Sequence, residues 1–277
     1  MKYSIITVNY NNREGLRHTI ESVIRQTFRD FEFIVIDGGS TDGSVDTLKA
    51  YDKDITFWES EPDGGIYQGM NKGIAHATGE YINFMNSGDC FYDSRTLEQV
   101  DSYASDADII TGRDYHYSME KQAGHASMLP TRLSMITFFN ATLDHQSSFI
   151  RRTLFESSPY REDYRMVSDW IFFTQKIVSE GKRVQLIPLI VCRREEGGVS
   201  DQQHERNRTE INRWLHEFLP QGIYDDYATL SKLDKTSLYR LFNICENDKQ
   251  RKALVWCIKL IHKVANINFI SRRYENT

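Results

Sequence analysis

Between Tyr3 and Asp89 the sequence switches repeatedly between two hydrophobic periods, and that alternation restricts the available folds more than any other feature. Tyr3-Ser4-Ile5-Ile6-Thr7-Val8 is short, β-branched and almost continuously apolar, the pattern of a parallel strand covered on both faces. Asn9-Tyr10-Asn11-Asn12 breaks it, and residues 14–27 then place Leu16, Ile20, Val23 and Ile24 on one helical stripe. A second strand over 31–37 turns through Gly38-Gly39-Ser40-Thr41-Asp42-Gly43-Ser44, rich in capping residues, into a helix over 45–51. Residues 55–58 read as a third strand, 67–77 as a third helix and 81–85 as a fourth strand. Strand and helix in regular succession predict a doubly wound, mostly parallel α/β sheet.

In such a sheet, ligands bind beyond the carboxyl ends of the strands, where exposed loops sit on a rigid base. Asn9, Asp37, Asp63 and Asp89 all follow strands or the acidic turn beside one. Each alone is more often a turn former or cap than a ligand group, but on successive units of one sheet they share a rim. Two familiar tenants of that rim do not fit. A dinucleotide site needs Gly-x-Gly-x-x-Gly after the first strand, and no glycine precedes Gly15. A P-loop needs Lys after its second glycine, and Ser44 follows Gly43. A nucleotidyltransferase would want a glycine-rich first loop bearing Lys or Arg, also missing. The net charge of -5 argues against nucleic acid as a partner, since binding the phosphate backbone relies on basic surface.

Thr7-Val8-Asn9-Tyr10-Asn11, Ile36-Asp37-Gly38-Gly39-Ser40-Thr41-Asp42-Gly43, Glu61-Pro62-Asp63-Gly64-Gly65-Ile66-Tyr67 with Met70-Asn71-Lys72-Gly73, and Asn86-Ser87-Gly88-Asp89 occur in this order. Together they resemble the ordered motifs of family-2 glycosyltransferases, over roughly residues 3–200. The resemblance implies a GT-A fold and inverting transfer from a nucleotide-diphosphate sugar, UDP by preference, with a divalent cation, Mn or Mg. It implies that Asn9 borders the nucleotide, Asp37 accepts a hydrogen bond from the base, Asp63 lies near base and ribose, Asn71 and Lys72 belong to the donor half, and Asp89 holds the cation. The family's Asp-x-Asp is reduced here to Asn86-Ser87-Gly88-Asp89, a single carboxylate, with Asn86 able to reach ribose or phosphate through its amide. Mg²⁺ is often held by one or two carboxylates plus water and substrate phosphates, so one carboxylate is compatible with weak, nucleotide-assisted metal binding.

Downstream, 94–105 reads as a helix, 107–112 as a strand and 113–142 as a loop-rich acceptor region. His145, in Asp144-His145-Gln146-Ser147, is by resemblance a cleft residue and by its residues alone equally a structural histidine. A helix begins near Ser168-Asp169 and runs to about Glu180; both residues suit an N-cap, and the resemblance makes Asp169 the base that deprotonates the acceptor. Residues 184–192 form a strand in which Pro188 favours an edge or a bulge. Arg193 and Arg194 then precede Gly197-Gly198-Val199-Ser200, which suits either a phosphate-covering loop or a hinge, and both arginines are candidate diphosphate contacts.

The expected organisation is a catalytic domain over 1–202, with a nucleotide-sugar half to about 112 and an acceptor half over 113–202, followed by a helical extension over 203–277. Helices are expected over 206–218, 231–245 and 249–264. In the last, Lys252, Lys259, His262 and Lys263 share a face set against Leu254, Val255, Ile258, Leu260, Ile261 and Val264, a pattern shared by a packed helix and by one resting on anionic lipid. Membrane contact would suit a lipid-linked saccharide acceptor. No charged-then-apolar leader opens the sequence and no apolar run reaches the roughly 18 residues needed to span a bilayer, so a cytoplasmic location is expected. Four cysteines without zinc spacing predict neither a disulfide framework nor a structural metal. The reduced motif leaves one alternative of another class, a sugar-nucleotide-binding module without catalysis.

Overall fold

A computed structural model describes residues 1–103, 106–195, 203–234, 245 and 247–265. The chain divides into two compact units, Met1–Pro220 and Gln221–Thr277. In the first, the predicted alternation is realised as β1 (Tyr3–Asn9), α1 (Arg13–Ile24), β2 (Phe31–Asp37), α2 (Ser44–Ala50), β3 (Phe57–Ser60), α3 (Ile66–His76) and β4 (Tyr81–Phe84). β3, β2, β1 and β4 lie side by side and parallel. Every residue of β1 is buried, as its unbroken apolarity requires, and Leu16, Ile20 and Val23 of α1 close over it. The third strand begins two residues later than its composition suggests. Thr56 is occupied before pairing starts, its amide donating to the Phe33 carbonyl and its hydroxyl accepting from the Phe33 amide.

β5 (Cys90–Phe91) follows, then α4 (Thr96–Ser102) and β6 (Ile109–Ser118). The region expected to be loop-rich is largely ordered: β6 runs through Arg113, Asp114 and His116, turns back as β7 (Ala123–Ala126), and α5 (Met135–Asn140) follows. Its polar residues disguised the strand. Asp114 is nonetheless fully buried, with the Ser147 hydroxyl donating to its Oδ1.

A 3-10 turn (His145–Ser147) leads to β8 (Ser148–Arg151) and α6 (Thr153–Glu156); α7 (Ser168–Thr174) continues as a π-helical turn to Ser179, and β9 (Val184–Glu195) closes the sheet. The full order is β3-β2-β1-β4-β8-β6-β9-β5, with β8 antiparallel to β4 and β6, and β9 parallel to β6. Pro188 sits, exposed, in the bulge where the β6–β9 register slips between Thr111 and Arg113, the position its missing N–H favours. β9 continues through Arg193 and Arg194, which are therefore strand residues rather than the start of a loop. The Gly197–Ser200 segment, numbered 197–200, lies outside the described residues.

α8 (His204–Phe218) belongs to the first unit, which runs to Pro220, past the boundary expected at residue 202. Trp214 is buried edge-on against Trp170 of α7, with ring centroids 5.1 Å apart, and Glu210 accepts from the backbone amides of Arg165 and Met166. The second unit contains α9 (Gln221–Asp234), which starts ten residues before the helix expected there, and α10 (Asp248–Ala265). The part of the expected helix over 235–244 lies outside the described residues.

Candidate active site

The parallel half converges on two laced strand tips. Asp37, at the end of β2, is fully buried and accepts hydrogen bonds from Asn9 Nδ2 (2.7 Å), Ser60 Oγ (2.6 Å) and both the amide (2.9 Å) and hydroxyl (2.6 Å) of Ser40. Burial alone would raise its pKa; the donors from Ser40, Ser60 and Asn9 outweigh that and hold the carboxylate below its usual range. Asn9 Oδ1 is buried without a hydrogen-bond partner. Asp63 closes the neighbouring turn, accepting from Gly65 N at 2.8 Å, and lies so near Gly38 that a Cβ there would come within 3.0 Å of its carboxylate.

The tip of β4 is set from beneath by α1. The buried Thr19 hydroxyl donates to the Asp89 carbonyl (2.7 Å) and accepts from the Gly88 amide (3.0 Å), fixing the loop between Asn86 and Asp89. Gly88 has φ +103°, a conformation that side chains with a Cβ avoid, so this turn is closed to most residues. Cys90 then pairs with Arg193 of β9, which anchors Asp89 from the other side.

Opposite this tip, one turn distributes its side chains among three carboxylates. His145 Nδ1 donates to Asp169 Oδ2 at 2.8 Å, Gln146 Nε2 to Asp89 Oδ2 at 3.2 Å, and Ser147 Oγ to Asp114 Oδ1. Asp169 also accepts from the Tyr67 hydroxyl at 2.7 Å, which joins α7 to α3. His145 Nε2 lies 3.1 Å from Asn86 Nδ2, a contact whose donor depends on the histidine's protonation, and Asn86 Oδ1 is buried without a hydrogen-bond partner among the described residues. Tyr67, His145, Asn86 and Asp169 thus form one chain across the cleft.

The electrostatics follow the partners. Burial would raise Asp169, but the bonds from His145 and Tyr67 and the histidine's positive character hold its pKa below the ordinary value. Burial would lower His145, and Asp169 reverses this and raises it. Asp89, half-buried with only a neutral amide as direct partner, is pushed up to about 6, mainly by burial. Asp114 and Asp144 are both raised, by burial first. Asp89 is the carboxylate at this strand tip that could hold a divalent cation, whose charge would relieve the cost of burying it.

Several sequence candidates have other duties. Asn71 is not brought to the cleft. Its amide grips the Tyr160 backbone at both N–H (3.0 Å) and C=O (2.8 Å), and Tyr160 packs against the Tyr67 ring at 5.5 Å. Lys72 pairs with Glu59 at 3.3 Å. Arg193 lies 4.4 Å over the Tyr117 ring, and Arg194 Nε donates to His116 Nδ1 at 3.2 Å. Asp169 is not the cap of its helix; that position is Val167, because the chain enters α7 one residue before Ser168. The roles of Tyr67, Asp114 and Asp144 are not signalled by the sequence, and Gln146, a cleft residue with His145 by resemblance, reaches Asp89. Tyr67 lay inside a quoted motif, and Asp144 and Gln146 flank His145, but only tertiary folding reveals what each reaches.

The family described as Glycosyl transferase family 2 matches residues 4–158. Over 207 residues the chain is 30% identical to a PGL/p-HBAD biosynthesis glycosyltransferase of Mycobacterium bovis BCG, covering 72% of this chain and 79% of that one. It is 33% identical over 176 residues to an uncharacterised glycosyltransferase of Mycobacterium tuberculosis H37Rv, covering 61% of this chain and 66% of that relative's own length. Among solved structures, S. aureus TarS in complex with UDP-GlcNAc superposes with a TM-score of 0.61 at 17% identity, covering 95% of this chain and 82% of TarS. The mannosyltransferase PcManGT of Pyrobaculum calidifontis, in complex with GDP-Man and Mn²⁺, gives 0.59 at 15% identity, covering 94% and 80%. At these identities the structural likeness concerns the fold, which is GT-A.

Proposed function

The chain belongs to glycosyl transferase family 2, and on that premise we propose that it transfers a sugar, with inversion, from a UDP-sugar to a saccharide or lipid-linked saccharide in cell-surface polysaccharide synthesis. The carrying observation is Asp169, a carboxylate kept ionised by His145 and oriented by Tyr67 beside the strand tip that bears Asn86 and Asp89. The acceptor oxygen bonds to the anomeric carbon as the bond from that carbon to the diphosphate oxygen breaks, and the electron pair leaves on the diphosphate. The hydroxyl becomes strongly acidic as it bonds to carbon, so a low-pKa carboxylate in position suffices to take its proton.

Asn9, Asp37 and Asp63 are the proposed nucleotide contacts, and Asn86 and His145 border the transferring sugar. A divalent cation, Mn or Mg, held by Asp89 would supply charge stabilisation for the departing diphosphate. The complexes of TarS with UDP-GlcNAc and of PcManGT with GDP-Man and Mn²⁺ support a nucleotide-sugar donor and a cation. Residues up to about 202 are proposed to carry catalysis, with α8 as structural support within the same unit, and the helical residues after Pro220 are proposed to be accessory.

The proposed setting is the cytoplasmic face of a membrane, touched peripherally through α10. Among the described residues no helix is long and apolar enough to cross a membrane. α10 carries Lys252 and Lys259 together with exposed Trp256, Leu260 and Ile261, which supports surface contact. The test of function is nucleotide release on a panel of UDP- and GDP-sugars with saccharide acceptors. Transfer or hydrolysis supports the enzyme; binding of a sugar nucleotide with no release on any donor would leave a binding module instead.

A further inference from the structure

We propose that Asp114, His116 and Asp144 form a divalent-cation site separate from the strand-tip carboxylate Asp89. Asp114 and His116 are two apart on β6 and so project from the same face, while Asp144 precedes the 3-10 turn opposite them. One ligand atom from each lies within 4.8 Å of the other two. That spacing suits a common ion, since oxygen and nitrogen ligands at about 2.0–2.4 Å from it stand at most about 4.8 Å apart.

A second observation concerns Asp114 itself. It is fully buried, its Oδ1 accepts from Ser147, and its Oδ2 has no hydrogen-bond partner among the described residues. The nearest cation is Arg194, whose Nε is 3.6 Å from that oxygen but is bonded to His116 Nδ1 at 3.2 Å. One guanidinium balances one of two adjacent carboxylates. A buried group with an unmatched charge is costly, so the second carboxylate calls for a proton, its own or one on His116, or for a further cation. Two carboxylate oxygens and an imidazole are a donor set suited to Mn²⁺ and similar ions. An ion entering there would compete with Arg194 for the same oxygens and for His116, which makes Arg194 an opponent of binding.

Mn²⁺ titrated into the metal-stripped full chain without nucleotide, with free ion followed by electron paramagnetic resonance, tests this. One Mn²⁺ should bind per chain. Binding should persist in Asp89→Asn, tighten in Arg194→Gln, and weaken on the order of tenfold or more in Asp144→Asn and in His116→Gln. The last two variants alter different elements, and thermal unfolding in EDTA establishes that each is folded. Three outcomes would overturn the site: no binding at millimolar Mn²⁺, meaning that the carboxylates share a proton only; wild-type affinity in folded Asp144→Asn and His116→Gln; or loss in Asp89→Asn alone. Because the readout needs neither donor nor turnover, its failure leaves the transferase reading untouched, and the absence of transfer would leave this site untouched.

Discussion

His145, Gln146 and Ser147 are consecutive, and each donates to a different buried or half-buried carboxylate. An extended segment would throw alternate residues to opposite faces; the tight 3-10 turn instead fans three neighbours toward one cavity. Asp169→Asn keeps the shape but loses the basic oxygen, so turnover should fall on the order of 10²–10⁴-fold while donor affinity, measured by calorimetry, stays near wild type. Equal loss of both would reduce Asp169 to a structural role. The His145–Asp169 pair also sets a pH signature. Asp169 has a lowered pKa, so its contribution is present above the unfolded value of 3.8 and disappears as pH falls through its folded value. His145 has a raised pKa, so its contribution is full below 6.5 and disappears as pH rises through its folded value. His145→Gln should therefore cost most between these limits, about 2 kcal/mol, with the cost shrinking on either side in urea unfolding at stepped pH. A cost independent of pH would contradict the ion pair.

Among elements, the β6–β9 ladder carries the acceptor side, and its irregularity is built by sequence. Residues 187–189 bulge opposite Gly112, where a Cβ would meet Val191 Cγ2 at 2.6 Å and the Leu189 carbonyl oxygen at 2.7 Å. A carbonyl cannot swing aside as a side-chain end can, so Gly112→Ala must displace the bulge and with it Asp114, two residues on. The expected cost is about 1–3 kcal/mol in denaturant unfolding, and wild-type stability would show that the ladder yields freely. The bulge was legible from Pro188, whose missing donor needs such a place. The strand through Asp114 was not, because buried polar residues erase the hydrophobic alternation by which strands are recognised.

For the whole molecule, the boundary of the first unit follows from aromatic packing. α8 seats Trp214 against Trp170, whose indole N–H donates to the Phe138 carbonyl at 2.8 Å, so three elements meet at one contact. Trp214→Ala should destabilise the first unit by about 3–5 kcal/mol. A chain ending at Pro220 should unfold cooperatively with α8 in place, whereas one ending at residue 202 should melt far lower; equal melting temperatures would mean that α8 contributes nothing. Liposome co-sedimentation of the full chain against the Pro220 form tests the membrane proposal, with binding expected only for the full chain and only on anionic lipid.

The sequence by itself determined the parallel half. Strand and helix periods, glycine turns and the polar residues after each strand are local, and they sufficed to bring Asn9 to Asp37 and to put Asp89 at the tip of β4. Tertiary structure alone decided which side chains those groups meet. Asn71 and Lys72 sit in a matching motif yet hold Tyr160 and Glu59, while Tyr67 in the same motif reaches Asp169, 102 residues away. The reason is physical: hydrophobic period fixes where a backbone element lies, whereas a hydrogen bond across a cleft depends on the crossing of elements far apart in sequence. Those crossings also put Asn86 against His145.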